Sequence, residues 1–413
     1  MKKLCQKIIT IVFVFFMQAF MPAFLPAYDF GLVTNINTGF GNSIYEDNDF
    51  DFDLTLWPRF SFLIGDDSGF IATAGLSFGV DDNNDFSFVP ELLHTEFYKR
   101  FGVSEIKAGR FSYTDPLSFI VSGLFDGVQY LYTSHIGNFH AGVWYTGLLY
   151  KKNASITMTS DDMVGFLASL DFNDLSNTYF APKRIFTSFG WEHPSLGELV
   201  HLNTALIAQV DLRKADYQYK YNNQYIILKA GLPVNNFLFE FGGSLELSQI
   251  TGEENENGFA LAAEAGFYWL FPGIYNSRLS FTGRITSGKS EGFCEAFNPI
   301  TSKYYGYILK KKMSGISVFT VDYSRRLNPS MGVSVTTAYF VRNDLGTIAG
   351  YPLAFDSDGY FLGPDIMTRL VWSPASDLQF NLSGGMFLPA LGNANPKEKS
   401  LWRAELTVVM SVY

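Results

Sequence analysis

Apolar positions recur at every second residue in stretch after stretch of this chain, beginning near Phe30 and running to its last residues. In the final stretch Trp402, Ala404, Leu406, Val408, Met410 and Val412 alternate with Arg403, Glu405, Thr407 and Ser411. Successive side chains of a strand point to opposite faces, so a period of two predicts a β-strand, here with one face apolar throughout. The same alternation sets Phe237, Phe239, Phe241, Leu245 and Leu247 against Glu240, Ser244, Glu246 and Ser248, and Phe259, Leu261, Ala263, Ala265, Phe267, Trp269 and Phe271 against Glu264 and Tyr268. Strands are predicted over 30–40, 53–64, 70–80, 88–102, 104–113, 125–134, 139–150, 184–192, 199–212, 224–232, 237–248, 259–271, 277–286, 314–324, 331–342, 361–373, 377–387 and 401–413. The tally is about 18, with 16 the alternative, inside the even-numbered range of membrane barrels.

Alternation at this scale predicts an all-β fold, a single transmembrane antiparallel β-barrel, because strands cross a bilayer only when every backbone group is paired and no edge is left open. Short connections such as Gly65 to Gly69 read as hairpin turns. Three connections are long: 151–183, 288–312 and 343–359. The first carries Asp161, Asp162, Asp171 and Asp174 among apolar residues. It reads as a loop folded into the lumen as a constriction, as an external lid, or as a further poorly patterned hairpin.

The N-terminus changes the picture by supplying an export route. Lys2, Lys3 and Lys7 precede an apolar run from Ile8 to Phe20, and Pro22 to Ala27 supplies small residues and helix breakers. Residues 1–27 therefore read as a signal peptide, cut near Ala27, and 28–413 as the barrel. Its apolar core is shorter than the roughly 20 residues of a spanning helix. The first strand follows at once, which leaves no room for an N-terminal plug. Beyond Cys5, in the signal, Cys294 is the one cysteine, so no internal disulfide framework is expected.

Composition agrees. Phe and Tyr number 41 and 23 of 413 residues, yet no segment after the signal is apolar enough for a spanning helix. A net charge of -10 argues against nucleic acid as a partner. Chemistry finds no purchase: His94, His135, His140, His193 and His201 form no H-E-x-x-H pair, and no G-x-S-x-G elbow is present, so no enzyme, metal site or cofactor is expected. Acidic runs at 46–53, 81–85, 253–256 and 356–358 read as solvated loops, with hard-cation binding the alternative.

Some residues resemble a known family. Phe361-Leu-Gly-Pro-Asp365 through Leu370-Val-Trp-Ser-Pro374, then Asp377-Leu-Gln-Phe-Asn-Leu382 to Met386-Phe-Leu-Pro389, is similar to the C-terminal region of alginate-export-type outer-membrane barrels, and Ala108-Gly-Arg-Phe111 with Phe125-Asp-Gly-Val-Gln129 resembles their middle. The resemblance, over about a quarter of the chain, implies an 18-stranded monomeric channel for anionic polysaccharide or small solutes. Two features depart from it. The inward parity places Arg59, Arg110, Arg278, Arg284, Arg369 and Arg403 against Asp53, Glu240, Glu246, Glu264, Asp365 and Glu405, a pore lining of mixed sign rather than the cationic one a polyanion exporter needs. Tyr413 falls on the polar parity of its strand, out of line with the apolar face that barrel-assembly machinery usually reads.

The function expected from these residues is an outer-membrane porin for passive diffusion of small hydrophilic solutes, with outer-membrane lipid and the barrel-assembly machinery as its partners. Polysaccharide export is the first alternative and a surface adhesin or structural barrel the second. A transporter of the fatty-acid type would need an N-terminal hatch and an apolar lumen.

Overall fold

Strand pairing follows the alternation. The computed structural model describes residues 28–42, 49–81, 86–213, 220–251, 256–272, 276–290, 294–346 and 358–412. The signal-peptide reading of 1–27, the placement of Tyr413 and most of the acidic runs lie outside these residues.

The wall is built from β1 (Tyr28–Gly41), β2 (Asp49–Leu63), β3 (Ser68–Asp81), β4 (Phe86–Phe101), β5 (Ser104–Thr114), β6 (Ser122–Ser134), β7 (Gly137–Tyr145), β8 (Arg184–Leu196), β9 (Val200–Asp211), β10 (Lys220–Val234), β11 (Phe237–Thr251), β12 (Glu256–Phe271) and β13 (Ser277–Thr286). A two-residue ladder of β14 (Tyr304–Tyr305) and β15 (Lys311–Lys312) interrupts it. The wall resumes with β16 (Ile316–Asn328), β17 (Met331–Arg342), β18 (Phe361–Ala375), β19 (Leu378–Phe387) and β20 (Leu401–Val412). These form one 18-stranded antiparallel sheet, and β1 pairs with β20 so that it closes. Each strand predicted from the alternation is present. The 139–150 stretch is the one shortened appreciably: β7 stops at Tyr145, and Tyr150 reaches Phe180 only through an isolated bridge.

Register fixes which side chains face out. The outward rows hold Phe241, Leu247, Leu261, Phe281, Phe319, Val321, Leu382, Leu406 and Met410, all exposed. A continuous apolar exterior on a closed barrel is the surface a bilayer requires, and the aromatic residues near both rims are the usual interfacial girdles. Short turns, the start of β1 and the end of β20 share one rim, and the long connections leave from the other, the arrangement that puts turns in the periplasm and loops outside the cell.

Arginine at Leu261 is expected to destabilise the inserted barrel by about 2–4 kcal/mol, whereas lumen positions tolerate charge. With Cys5 and Cys294 replaced by serine, cysteine at Leu261 or Phe241 should resist a membrane-impermeant thiol reagent in liposomes and cysteine at Arg369 should react. Equal reaction at these sites would contradict the assigned faces.

Candidate functional site

Among the described residues, three connections fold into the barrel instead of standing above it. The first, between β5 and β6, is Asp115 to Val121. Its Asp115 is buried, and its two carboxylate oxygens accept the N–H groups of Leu117, Ser118, Ile120 and Val121. Burial pushes that carboxyl up to about 6, against these hydrogen bonds, which favour its charged form. The ring holds Leu117, Phe119, Ile120 and Val121 inward, where they join Phe111, Tyr113, Phe125, Trp144 and Phe186 from β5 to β8 in an apolar core inside the lumen. Phe125 meets Phe186 edge-on at 4.9 Å, and Phe111 lies 4.9 Å from Trp144.

The second connection, between β7 and β8, contains α1 (Lys151–Ala154), α2 (Ser160–Leu167) and α3 (Leu175–Thr178). Thr159 caps α2, and Asp162 completes a reciprocal capping box. Asp162 also joins a buried cluster of four charges. Arg184 reaches Asp162 at 2.8 Å and Asp211 at 3.3 Å, and Arg213 reaches Asp162 at 2.9 Å and Asp211 at 2.6 Å. The cluster balances in charge and fastens the start of α2 to the inner ends of β8 and β9. Of the readings open for 151–183, the lumenal fold therefore describes its first part, up to about α2.

The third connection, from Ser287 to Gly315, reaches furthest. Ser302 N–H donates to Ser155, Thr301 N–H donates to Ile120, and Thr301 Oγ1 accepts from Ser122 N–H, so it touches both other inserted segments. Asn298 binds Glu246 on β11 through its N–H and Met158 through its side chain. Lys312 donates to Thr157 and Asn298, and burial holds its amine down to about 8. Further along, Ile308 and Leu309 N–H groups donate to Asp365 on β18. Tyr307 lies against Gly385 on β19, where a Cβ would come within 2.7 Å of its ring. This segment reaches from Glu246 on β11 to the Asp115–Val121 turn and to Asp365 on β18, so it narrows the lumen from within. The sequence reading marked 288–312 only as long. The signal that would have found the insertions is the apolar inward parity of β5 to β8, since a water-filled lumen does not ask for Trp144, Phe125 and Phe186 on the inner face.

The pore-lining residues expected from sequence separate accordingly. Asp53, Arg59, Arg278 and Arg369 have inward register and are exposed. Arg403 pairs with Asp49, Asp51 and Glu405, and Arg284 pairs with Glu264, which also meets Lys229; Lys229 meets Glu240. Glu246, Glu264 and Asp365 face inward but are buried, at 0%, 5% and 2% exposure. Glu246 and Asp365 serve as acceptors that hold the constriction. Arg110 is a different case. It shares its cross-strand row with Thr95 and Asp126, on the parity opposite to Phe111, and it is 5% exposed. Its guanidinium binds Asp126 through two nitrogens and donates to the carbonyls of Leu92 and Leu148, so it staples the wall instead of lining the lumen. Lys303, on the inserted segment, was not singled out from sequence. Desolvation and the neighbouring Arg284 hold its amine below the ordinary lysine value. Among the described residues no group of histidine, cysteine, aspartate and glutamate is arranged to hold a metal ion.

No family model matches the chain, and no curated protein does. Solved structures do. OccK2 (OpdF) of Pseudomonas aeruginosa, in complex with glucuronate, superposes with a TM-score of 0.60 at 14% identity, over 95% of this chain and 99% of that one. Pseudomonas aeruginosa OprD gives 0.60 at 13% over 94% and 95%, and OccK1 (OpdK) from the same organism 0.60 at 12% over 94% and 100%. These findings overturn the alginate-export resemblance. The residues that carried it are general barrel devices: Trp372-Ser-Pro374 sits at the register shift between Trp372 and Ala375 beside the β18–β19 turn, and Gly109, before Arg110, has φ +121 where a Cβ would strike Thr95 O at 2.0 Å. Closed, belted with apolar residues and constricted from within, the chain has the 18-stranded outer-membrane barrel fold shared by the OprD and OccK structures.

Proposed function

We propose that this protein is an outer-membrane porin through which small hydrophilic solutes diffuse. The observation that carries the reading is the inserted Ser287–Gly315 segment, which narrows the lumen while charged side chains remain exposed on the inner wall at Asp53, Arg59, Arg278 and Arg369. About 18 strands enclose more space than side chains alone can fill, so an aqueous path persists beside the inserted segments. Diffusion needs no cofactor and no energy coupling.

Several of the inner charges are paired, which argues for weak ion selectivity. Arg403 is surrounded by Asp49, Asp51 and Glu405, and Arg278 faces Asp322 at 3.1 Å. The fold's likeness to OccK2 (OpdF), solved in complex with glucuronate, makes a small sugar acid and a neutral sugar of the same size a natural pair of test solutes. In planar bilayers the purified protein is expected to form ion-conducting channels with a cation-to-anion permeability ratio within about threefold of unity, since balanced charges cancel in a narrow pore. In liposomes both test solutes should enter. A strong anion preference that disappears on neutralising Arg278, Arg284, Arg369 and Arg403 would support export of an anionic polymer instead. No conductance at all would favour an adhesin or structural barrel.

A further inference from the structure

The wall has a seam between β4 and β5. Pairing between β4 and β5 covers only Thr95–Phe101 of β4, so the upper part of β4, from Phe86, has no strand partner on that side. An unpaired strand edge within lipid is costly because its carbonyl and N–H groups have no water to bind. Here the β7–β8 connection meets that edge. Tyr179 Oη donates to Pro90 O at 2.7 Å, Asn153 binds Glu91, and Arg110 links Leu92 O on β4 to Leu148 O at the start of the connection.

The same connection reaches the outer face. Phe172 stacks on Phe88, with ring centroids 6.5 Å apart and planes 22° from parallel. Phe88 belongs to an outward row, paired with Phe78 and followed by Phe86. Around the loop rim these residues continue an aromatic arc that includes Phe361, Trp402, Phe40, Phe50 and Phe52. The arc stops at β5 and β6, whose upper outward positions are Ser112, Thr114, Ser122 and Leu124. Phe172, 55% exposed, lies next to that interruption.

We propose that the Phe172 turn of the β7–β8 connection enters the outer-leaflet interface of the membrane, where Phe172 contacts lipid acyl chains and prolongs the aromatic girdle past the β4–β5 seam. The occupant is lipid because the patch is continuous with the lipid-facing row of β3 and β4, and girdles of aromatic residues flank the apolar band of a membrane barrel at both interfaces. One connection then does two things: its first part enters the lumen, and its second part anchors to the membrane. This inference concerns the membrane surface and is independent of whether the lumen conducts.

Nitroxide accessibility tests it. In a Cys5→Ser, Cys294→Ser chain reconstituted in phospholipid vesicles, single cysteines replace Phe172, Leu261 and Ser176, and each is spin-labelled. Barrel formation is checked by heat-modifiable migration on gels. At Phe172 the label is expected to relax faster with oxygen than with a water-soluble nickel chelate, as at Leu261, whereas at Ser176 the chelate should dominate. If Phe172→Cys does not fold, Leu175→Cys, on the same turn and exposed, replaces it and is expected to give the same preference. Chelate-dominated relaxation at the turn, or dipolar broadening showing two copies in contact there, would overturn the proposal.

Discussion

Replacing residues 288–314 by a two-residue Asn-Gly turn is expected to raise single-channel conductance at least about twofold, the largest functional change any local edit should produce, because the remaining 18-stranded ring encloses an open lumen. The edit is geometrically permitted. Ile285 pairs with Ser317, so the two ends of the excised segment already stand side by side, and a type I′ turn joins antiparallel neighbours at that spacing. The loss on the other side of the balance falls on the lumen's contents: Asp365 forfeits two N–H donors and Glu246 one, Ile120, Ser122, Ser155, Thr157 and Met158 lose their hydrogen bonds to the segment, and Phe297, Ile300, Leu309 and Met313 leave the inner core. Carboxylates left in a widened, hydrated lumen regain water as partners, so the wall should survive. Unchanged conductance in a correctly folded variant would show that the narrowest point lies elsewhere, and would shift attention to Asp115–Val121.

Substitution of Asp162 by alanine should be the most destabilising single change among the inserted segments. Arg184 and Arg213 would then face Asp211 alone, with the side chains of the cluster 0–5% exposed. Breaking a buried pair by removing one partner costs about 3–5 kcal/mol, since it strands an uncompensated charge. Asp162 also accepts the N–H groups of Met158 and Thr159, and with Thr159 it makes the capping box, so the start of α2 loses its cap at the same time. The measurement is proteolysis of the 155–170 stretch at increasing urea: the midpoint should fall sharply for Asp162→Ala, with the barrel wall itself unaffected. The Asp162→Ala, Arg213→Leu double variant should recover much of the loss, because one guanidinium again meets one carboxylate. A double variant no better than the single one would mean that the cap, and not the charge balance, dominates.

How much was readable from the sequence divides along the membrane surface. The strands were legible because lipid outside and a polar interior impose period two along whole elements, as from Phe237 to Leu247 and from Trp402 to Val412. Arg403 and Glu405, and Arg284 and Glu264, sit close enough to pair, a contact that parity and a balance of sign do not foretell. The lumen's contents were hidden for a physical reason. An inserted loop is stabilised by isolated carboxylate caps such as Asp115 and Asp365, each binding backbone N–H groups that carry no sequence signature. Arg110 was misplaced because polarity was taken as the mark of the inner face: its row, Ile106, Ala108, Arg110 and Ser112, is the outward one without a break at Gly109, while the apolar Phe111 and Tyr113 turn inward. The family resemblance failed on similar ground: turns and kinks required by any barrel were taken as marks of one lineage.

Closure of the wall by β1 and β20 has a kinetic side. Leu32 pairs with Val412 and Gly41 with Arg403, and Asn42 binds the backbone of Trp402 across 360 positions of the chain. Contacts of such sequence separation form late, because the intervening chain must first be ordered. Until the last strand docks, β1 presents an unpaired hydrogen-bonding edge beside a greasy face, the combination most prone to pair with another molecule. Every copy thus passes through a sticky open-sheet state whose lifetime depends on the slowest inter-strand step, and its escape in the cell depends on how quickly some assembly surface can cap that edge until its own C-terminal strand arrives.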